Sequence, residues 1–347
     1  MTYPDTYYRR TLANAAERPA LSGSVDCDTV IIGGGLAGLT TALQLARAGH
    51  SVTVLEASSV GFGASGRNGG FVSPGFATGS DAIARAAGPD AARKLHLLSI
   101  EGVDFIRNTI RELGISEAKP QAGIMSVTRY DDGASLKAHA DHMRREYNYE
   151  LEFLGTDAVR GRLKSNRYFQ ALRDPKAFHM HPLNYLRALA AEIERLGGRI
   201  YENSQATRCS LAGAQKLVTC QGGQVHARQI VFTTGGYTSS LVGKLNRAYL
   251  PIATYVMLTE EAPDLIRSAI ATRDAIGDNR RAGDYYRLVE DGKRILWGGR
   301  ITTRAASPAA LAGELRREMT TTYPQLKDLK TELAWSGLMS YARHLMP

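Results

Sequence analysis

Residues 29–32, Thr-Val-Ile-Ile, run straight into Gly33-Gly34-Gly35, and Leu36-Ala37-Gly38 then opens an Ala/Leu-rich stretch. β-Branched residues suit a buried strand, and straight-chain Leu and Ala suit a helix. The pattern predicts a strand over 28–32, a helix over 36–48 stopped by Gly49, and a second strand over 51–55 ending at Glu56. A Gly-x-Gly-x-x-Gly turn between strand and helix is a dinucleotide-binding pattern. Gly33 allows the tight turn, Gly35 lets a pyrophosphate touch backbone, and Gly38 lets helix and strand pack closely. The phosphates would face free N–H groups and the positive end of the helix dipole. A carboxylate at Glu56 would accept both ribose hydroxyls and repel a 2′-phosphate. Residues 29–46 carry no charge, a marginal membrane-span length. Their change from β-branched to glycine to Leu/Ala favours strand, turn and helix instead, so no transmembrane segment is expected.

Glycine is in excess, 35 of 347 residues against a usual ~7%. Seventeen fall in five clusters, at 33–38, 61–79, 222–223, 235–236 and 298–299. They follow or interrupt apolar runs, where bare backbone turns tightly or meets a ligand. The richest segment, Gly61-Phe62-Gly63-Ala64-Ser65-Gly66-Arg67-Asn68-Gly69-Gly70, follows the Glu56 strand at once. It offers backbone donors, a hydroxyl, an amide and a cation, which suits the pyrophosphate and ring edge of a flavin. An NAD-dependent dehydrogenase would explain Gly33 to Glu56 but neither this loop nor the later strand over 229–234 running into Gly235-Gly236.

The rest of the chain reads as an arm over 1–25, a glycine-rich loop over 58–80, and a helical stretch over 81–113 ended by Gly114. A strand is expected over 123–128 and a polar helix over 134–149. A second helix-strand unit covers 183–196 and 199–202, with Gly197-Gly198 as the stop. Hairpins are expected across Gly222-Gly223 and Asp291-Gly292, strands over 250–259 and 332–338, and a helix over 307–322.

A hydrophobic share of 44% and a charged share of 22% exclude a disordered, collagenous or disulfide-scaffold chain. Lys+Arg outnumber Asp+Glu by 43 to 34, yet the basic residues are scattered in short pairs such as Arg144-Arg145 and Arg316-Arg317. Without a basic block, no nucleic-acid partner is expected. Cys27, Cys209 and Cys220 form no CxxC motif and cannot all pair within one chain, which fits a reduced, cytoplasmic compartment. The N-terminal residues lack an apolar core, so no secretory leader is expected there. No metal-ligand cluster, HExxH or Ser-His-Asp arrangement is legible.

The stretch IIGGGLAGL…ALQLARAGHSVTVLEA…VGFGASGRNGG resembles the D-amino-acid-oxidase-like flavoenzymes. Within them it is most similar to the gamma-glutamylputrescine oxidoreductase-like branch, which carries a Tyr-Tyr arm (here Tyr7, Tyr8) and a GASGRNGG loop. HPLNY (181–185), IVFTTGGYT (230–238), YYRLVEDGKRILWGGR (285–300) and WSGLMSYARHLMP (335–347) extend the resemblance along the chain. It implies an α/β fold, a Rossmann-type FAD-binding domain with an inserted α+β substrate domain built on an antiparallel sheet. The arm would be 1–25, the FAD-binding domain 26–80 and 170–245, and the substrate domain 81–169 and 246–347. Relatives continue past the position of Pro347, so a further segment closing over the flavin is expected; an inactive dinucleotide-binding fragment is the corresponding alternative.

The implied cofactor is FAD and the implied reaction is oxidation of a C–N bond. A hydride passes from a small amine to flavin N5, the imine hydrolyses, and O2 or another acceptor reoxidises the flavin. Gly33, Gly35, Ala37, Gly38 and Glu56 would bind the adenosine-pyrophosphate half. Ser65, Arg67, Asn68 and Gly70 would lie near the pyrophosphate and ring, Ala206 near the adenine, and Gly235 and Gly236 against the flavin. Relatives that oxidise amino acids often place an Arg after W-x-G-L to clamp the carboxylate. Met339 stands there, which favours a polyamine-derived or similar amine over glycine, sarcosine or a D-amino acid, with Arg300 or Arg343 as possible substitutes. His181, Tyr255, Arg300, Arg343 and His344 are the candidates near the chemistry, each with a plain packing or loop role as the alternative.

Overall fold

In the computed structural model, which describes residues 3–238, 241–280, 283–303 and 306–346, the apolar run before Gly33 is a central strand, Gly23–Ile32. Val30, Ile31 and Ile32 on it are buried. The strand starts ahead of the expected residue 28 because its first half pairs in parallel with Gly223–Phe232, from Gly23 opposite Gly223 onward. That long partner joins the second arm of the hairpin expected across Gly222-Gly223 to the strand expected over 229–234. The sheet order is Arg199–Tyr201, Val52–Leu55, Gly23–Ile32, Gly223–Phe232, Lys216–Cys220, Ala206–Ser210. The first four strands are parallel, and the last two are added antiparallel. Ile32 is level with both Leu55 and Phe232. Residues 33, 56 and 233 therefore leave the sheet at one edge, the carboxyl end where open α/β sheets bind ligands.

Helix Leu36–Arg47 buries Leu39, Ala42, Leu43 and Ala46, an i, i+3, i+4, i+7 stripe. It packs against helix Pro182–Arg195. These elements form the first of two units, Met1–Asn68, His181–Ile252 and Gly337–Arg343. The expected arm contributes Tyr7, Tyr8 and Leu21 to its buried interior. Tyr7 and Tyr8 are buried on a short helix, Tyr7–Arg10, capped by the Thr6 hydroxyl.

The second unit is Gly69–Met180, Ala253–Ser336 and His344–Pro347, with Pro347 itself outside the described residues. Its boundary falls at 68/69 rather than 80/81 because Phe71–Val72 pairs with Ala171–His179 in this unit's sheet. Pairing in that nine-stranded sheet is mainly antiparallel, with Ala275–Asp278 parallel to Gln121–Val127. Three strands there, Ala171–His179, Ala275–Asp278 and Glu152–Leu154, were not apparent in the hydrophobic pattern. The expected helix over 81–113 is two helices, Ser80–Ala87 and Pro89–Glu112. Gly88 at φ +88° breaks the run, and Pro89 starts the next helix without needing an N–H partner. Tyr286 stacks on Trp297 with ring centroids 4.1 Å apart, and its hydroxyl lies 2.6 Å from that of Tyr323. All three rings are fully buried.

Candidate functional site

At the carboxyl edge of the first unit's sheet lies a cleft of about 290 Å³. Gly33, Gly35, Glu56, Ser65, Ala206, Gly235 and Gly236 line it, all expected from the sequence. Gly33 has φ +117°, and a Cβ there would stand 2.7 Å from the Thr233 carbonyl oxygen. A Cβ on Gly38 would stand 2.0 Å from the Gly33 oxygen. Side chains are thus excluded where strand, turn and helix meet. Gly35 caps the helix without a side chain, and the Leu36 amide donates to Ser65 Oγ at 3.0 Å. The long glycine loop is in this way tied to the helix N-terminus, the end with unsatisfied N–H groups and positive dipole.

Glu56 holds the turn. Its Oε2 accepts the Gly34 amide at 2.7 Å and its Oε1 the Ser58 amide at 2.9 Å. Burial pushes its carboxyl above the usual glutamate range, against these amides, which favour the charged form. Each oxygen retains a lone pair for a further donor. A turn stripped of Cβ atoms, a helix N-terminus and a carboxylate at the second strand's end fit the pyrophosphate and ribose of a dinucleotide.

Two contributors, Thr233 and Tyr237, carried no motif. Thr233 Oγ1 donates to the Ile32 and Gly33 carbonyls at 3.0 and 3.1 Å. The Tyr237 hydroxyl accepts the Leu338 amide at 3.2 Å, which fixes the Leu338-Met339-Ser340 wall of the cleft. Gly236 is bare because a Cβ would stand 3.0 Å from Leu338 Cβ. The only legible signal for them was the apolar strand running into Gly235-Gly236.

Other expected residues lie elsewhere. Ala37 is exposed on the helix's first turn, and Gly38 is buried beneath it. Arg67 is buried with its guanidinium 4.7 Å from the Phe62 ring centre and 5.7 Å from that of Tyr237, a cation–π setting. Asn68 turns its side-chain amide back onto the Ala64 and Ser65 carbonyls. His181 caps helix Pro182–Arg195: Nδ1 accepts the Asn184 amide at 3.0 Å, and Nε2 lies 3.0 Å from Thr11 Oγ1. Both ring nitrogens are engaged, and His181 is not among the residues lining the cleft. Arg343 is exposed and does not line the cleft.

In the second unit, Gly70 has φ +80°, and a Cβ there would stand 2.2 Å from the Met180 oxygen. Tyr255 is buried with its hydroxyl 2.9 Å from Thr302 Oγ1 and accepting the Ala306 amide at 3.2 Å. Packing accounts for it. Arg300 pairs with Glu314 and Glu318 at 3.5 and 3.4 Å. His344 is exposed, with Nδ1 accepting the Met346 amide. Among the described residues, no helix is long and apolar enough to cross a membrane.

A parallel sheet with a bare glycine turn and a carboxylate at its carboxyl edge defines a dinucleotide-binding α/β enzyme. The model of the FAD dependent oxidoreductase family matches residues 28–347, and the chain belongs to that family. FAD is therefore its cofactor. The chain is 34% identical to gamma-glutamylputrescine oxidoreductase of Escherichia coli (strain K12), over 99% of this chain and 81% of that protein. Glycine oxidase from Geobacillus kaustophilus shares the fold with TM-score 0.77 at 17% identity, covering 93% of this chain and 85% of that one. L-proline dehydrogenase from P. horikoshii does so with TM-score 0.72 at 17% identity, covering 93% and 83%.

Proposed function

We propose that the protein oxidises a C–N bond of a small amine, polyamine-derived or similar in class. Bound FAD supplies the chemistry by accepting a hydride from the carbon beside nitrogen. The chain's own residues bind and orient. Glu56 accepts the ribose hydroxyls, Gly33 and Gly35 admit the pyrophosphate to backbone, and Gly235 and Gly236 leave room for the ring system. Ser65 holds the loop to the helix end.

The observation that carries the amine reading is Met339. It lines the cleft at the position where amino-acid-oxidising relatives often carry an Arg, and no Lys or Arg is among the described lining residues. A carboxylate beside the oxidised C–N bond would lack a bidentate partner there, while an amine without one at that position loses nothing. The relation to an enzyme named for a putrescine derivative supports the same reading. The oxidised product is an imine, which water hydrolyses, and O2 or another oxidant takes the electrons. A cytoplasmic location is supported by three free thiols, Cys27, Cys209 and Cys220.

The test is a spectrum of the purified protein followed by a substrate panel. Flavin bands near ~450 nm and selective turnover of amines are expected. Selective turnover of amino acids would overturn the amine reading. Peroxide release against dye reduction separates O2 from other acceptors.

A further inference from the structure

We propose that Tyr3 and Tyr8 are positioning residues for the cofactor loop, and that the N-terminal arm is the strap that carries them. The inference rests on the reading of residues 61–70 as an FAD-contacting loop.

The strap is anchored along helix Pro182–Arg195 and the strand end beyond it. Thr11 Oγ1 lies 3.0 Å from His181 Nε2, and the Ala13 amide donates to Asn184 Oδ1 at 3.0 Å. Arg187 donates to the Ala16 carbonyl. Arg18 pairs with Glu194 at 2.7 Å, and its amide donates to Glu202 Oε2 at 3.2 Å. Glu202, itself buried, also takes Arg187 at 2.9 Å. A segment fastened at so many points is not a loose tail.

The other end reaches the loop. The Tyr8 side chain is fully buried, and its hydroxyl donates to the Asn68 carbonyl at 2.7 Å. The Tyr3 hydroxyl lies 3.1 Å from the Gly66 carbonyl and 3.3 Å from that of Gly61. Gly61 and Gly66 also meet each other, since a Cβ on Gly66 would stand 2.0 Å from the Gly61 oxygen. Tyr3 thus closes the loop at its neck, and Tyr8 holds its far end. Glycines make this loop costly to order, because bare backbone has the most freedom to lose. Two phenol donors remove part of that freedom before any ligand arrives.

Pinning a carbonyl also aims an amide. In a trans peptide the C=O and the following N–H point in opposite directions. The Asn68 carbonyl faces Tyr8, so the Gly69 N–H faces away from it. Among the described residues that N–H has no hydrogen-bond partner. Tyr8 therefore sets the direction of an available donor in the loop that the sequence pairs with the flavin.

The test uses the full chain carrying Tyr8→Phe, Tyr3→Phe and both, with Tyr130→Phe, an exposed tyrosine, as control. Phenylalanine keeps the packing and removes only the donor. In protein stripped of cofactor, amides of residues 61–70 should exchange with solvent several-fold faster in Tyr8→Phe than in wild type. FAD titrated into the same preparations should bind roughly 3–10-fold more weakly per hydroxyl removed, with the control unchanged. Equal exchange in wild type and variants would overturn the positioning role. Faster exchange with unchanged FAD affinity would overturn its link to the cofactor. Failure of the wild-type protein to take up FAD would count against the cofactor reading of the loop instead, and the exchange experiment would still decide whether the tyrosines order it.

Discussion

Glu56 and Gly34 are joined by a 2.7 Å hydrogen bond from the backbone amide to the carboxylate. The residue expected to receive ribose hydroxyls therefore also braces the turn that admits the phosphates. Glu56→Gln should weaken FAD binding by roughly tenfold or more, since hydrogen bonds to a charged acceptor contribute about 1.5–3 kcal/mol. Wild-type FAD affinity should rise with pH through a window starting above the ordinary glutamate value, because burial raises this carboxyl and its charged form is the better acceptor. Stability of the cofactor-free protein should move the opposite way. The folded state keeps a proton that the unfolded state has lost, so this contribution falls as pH rises through that window. Titrations of FAD and of urea across pH, on wild type and Glu56→Gln, read both effects. A Glu56→Gln protein with unchanged affinity would remove Glu56 from the site.

Gly38 tolerates no side chain. Its Cβ would overlap the Gly33 oxygen at 2.0 Å and approach Thr233 Oγ1 at 2.7 Å. Gly38→Ala should lose roughly 3 kcal/mol of unfolding free energy in the cofactor-free protein. Gly49→Ala offers a comparison, because its Cβ would meet nothing within 4 Å and only its φ of +82° is unfavourable. That variant should lose about 1 kcal/mol or slightly more. Equal losses in urea unfolding would contradict the packing argument.

His179 should make the protein acid-sensitive. It is buried, and Nε2 donates to the Arg273 carbonyl at 2.9 Å, leaving Nδ1 facing Arg287 at 3.4 Å. Burial, with Arg287 beside it, pushes its pKa down to about 4. The unfolded state then binds more protons between the ordinary histidine value and about 4, so stability is complete above that range and is lost as pH falls through it. The loss attributable to this residue is roughly 3 kcal/mol. His179→Asn should flatten the slope of urea midpoint against pH in that range. An unchanged slope would assign the acid sensitivity to other groups.

Met339→Arg tests the substrate class. A guanidinium at this cleft position offers the bidentate carboxylate partner that wild type lacks. The ratio of kcat/KM for α-amino acids to that for amines should rise about tenfold or more. If the ratio stays put while the variant binds FAD normally, the position does not choose between them.

The glycine turn, its flanking strand and helix, and Glu56 were legible because local periodicity and one backbone requirement coincide there. The GASGRNGG loop was legible as a ligand-facing segment, but the partners of its side chains were not. Arg67 reads as a cation near the pyrophosphate and ring, and its guanidinium lies against the rings of Phe62 and Tyr237. His181 reads as a polar loop residue and is a helix cap. Tyr7 and Tyr8 sit in a stretch without apolar periodicity, yet both are buried. The expected helix over 81–113 passed over the Gly88-Pro89 step, because the helical pattern continues on both sides of it.

Sequence alone determined the dinucleotide-binding unit, because strand, glycine turn, helix and acidic strand end follow one another within about thirty residues and need no distant partner. Only the tertiary structure decided where Thr233, Tyr237 and Met339 stand, and what the arm does. Those placements depend on residues far apart in the chain, such as Tyr237 with Leu338 or Tyr8 with Asn68. A hydrogen bond between distant segments leaves no periodic trace. It follows from how the packed sheet and helices bring their ends together.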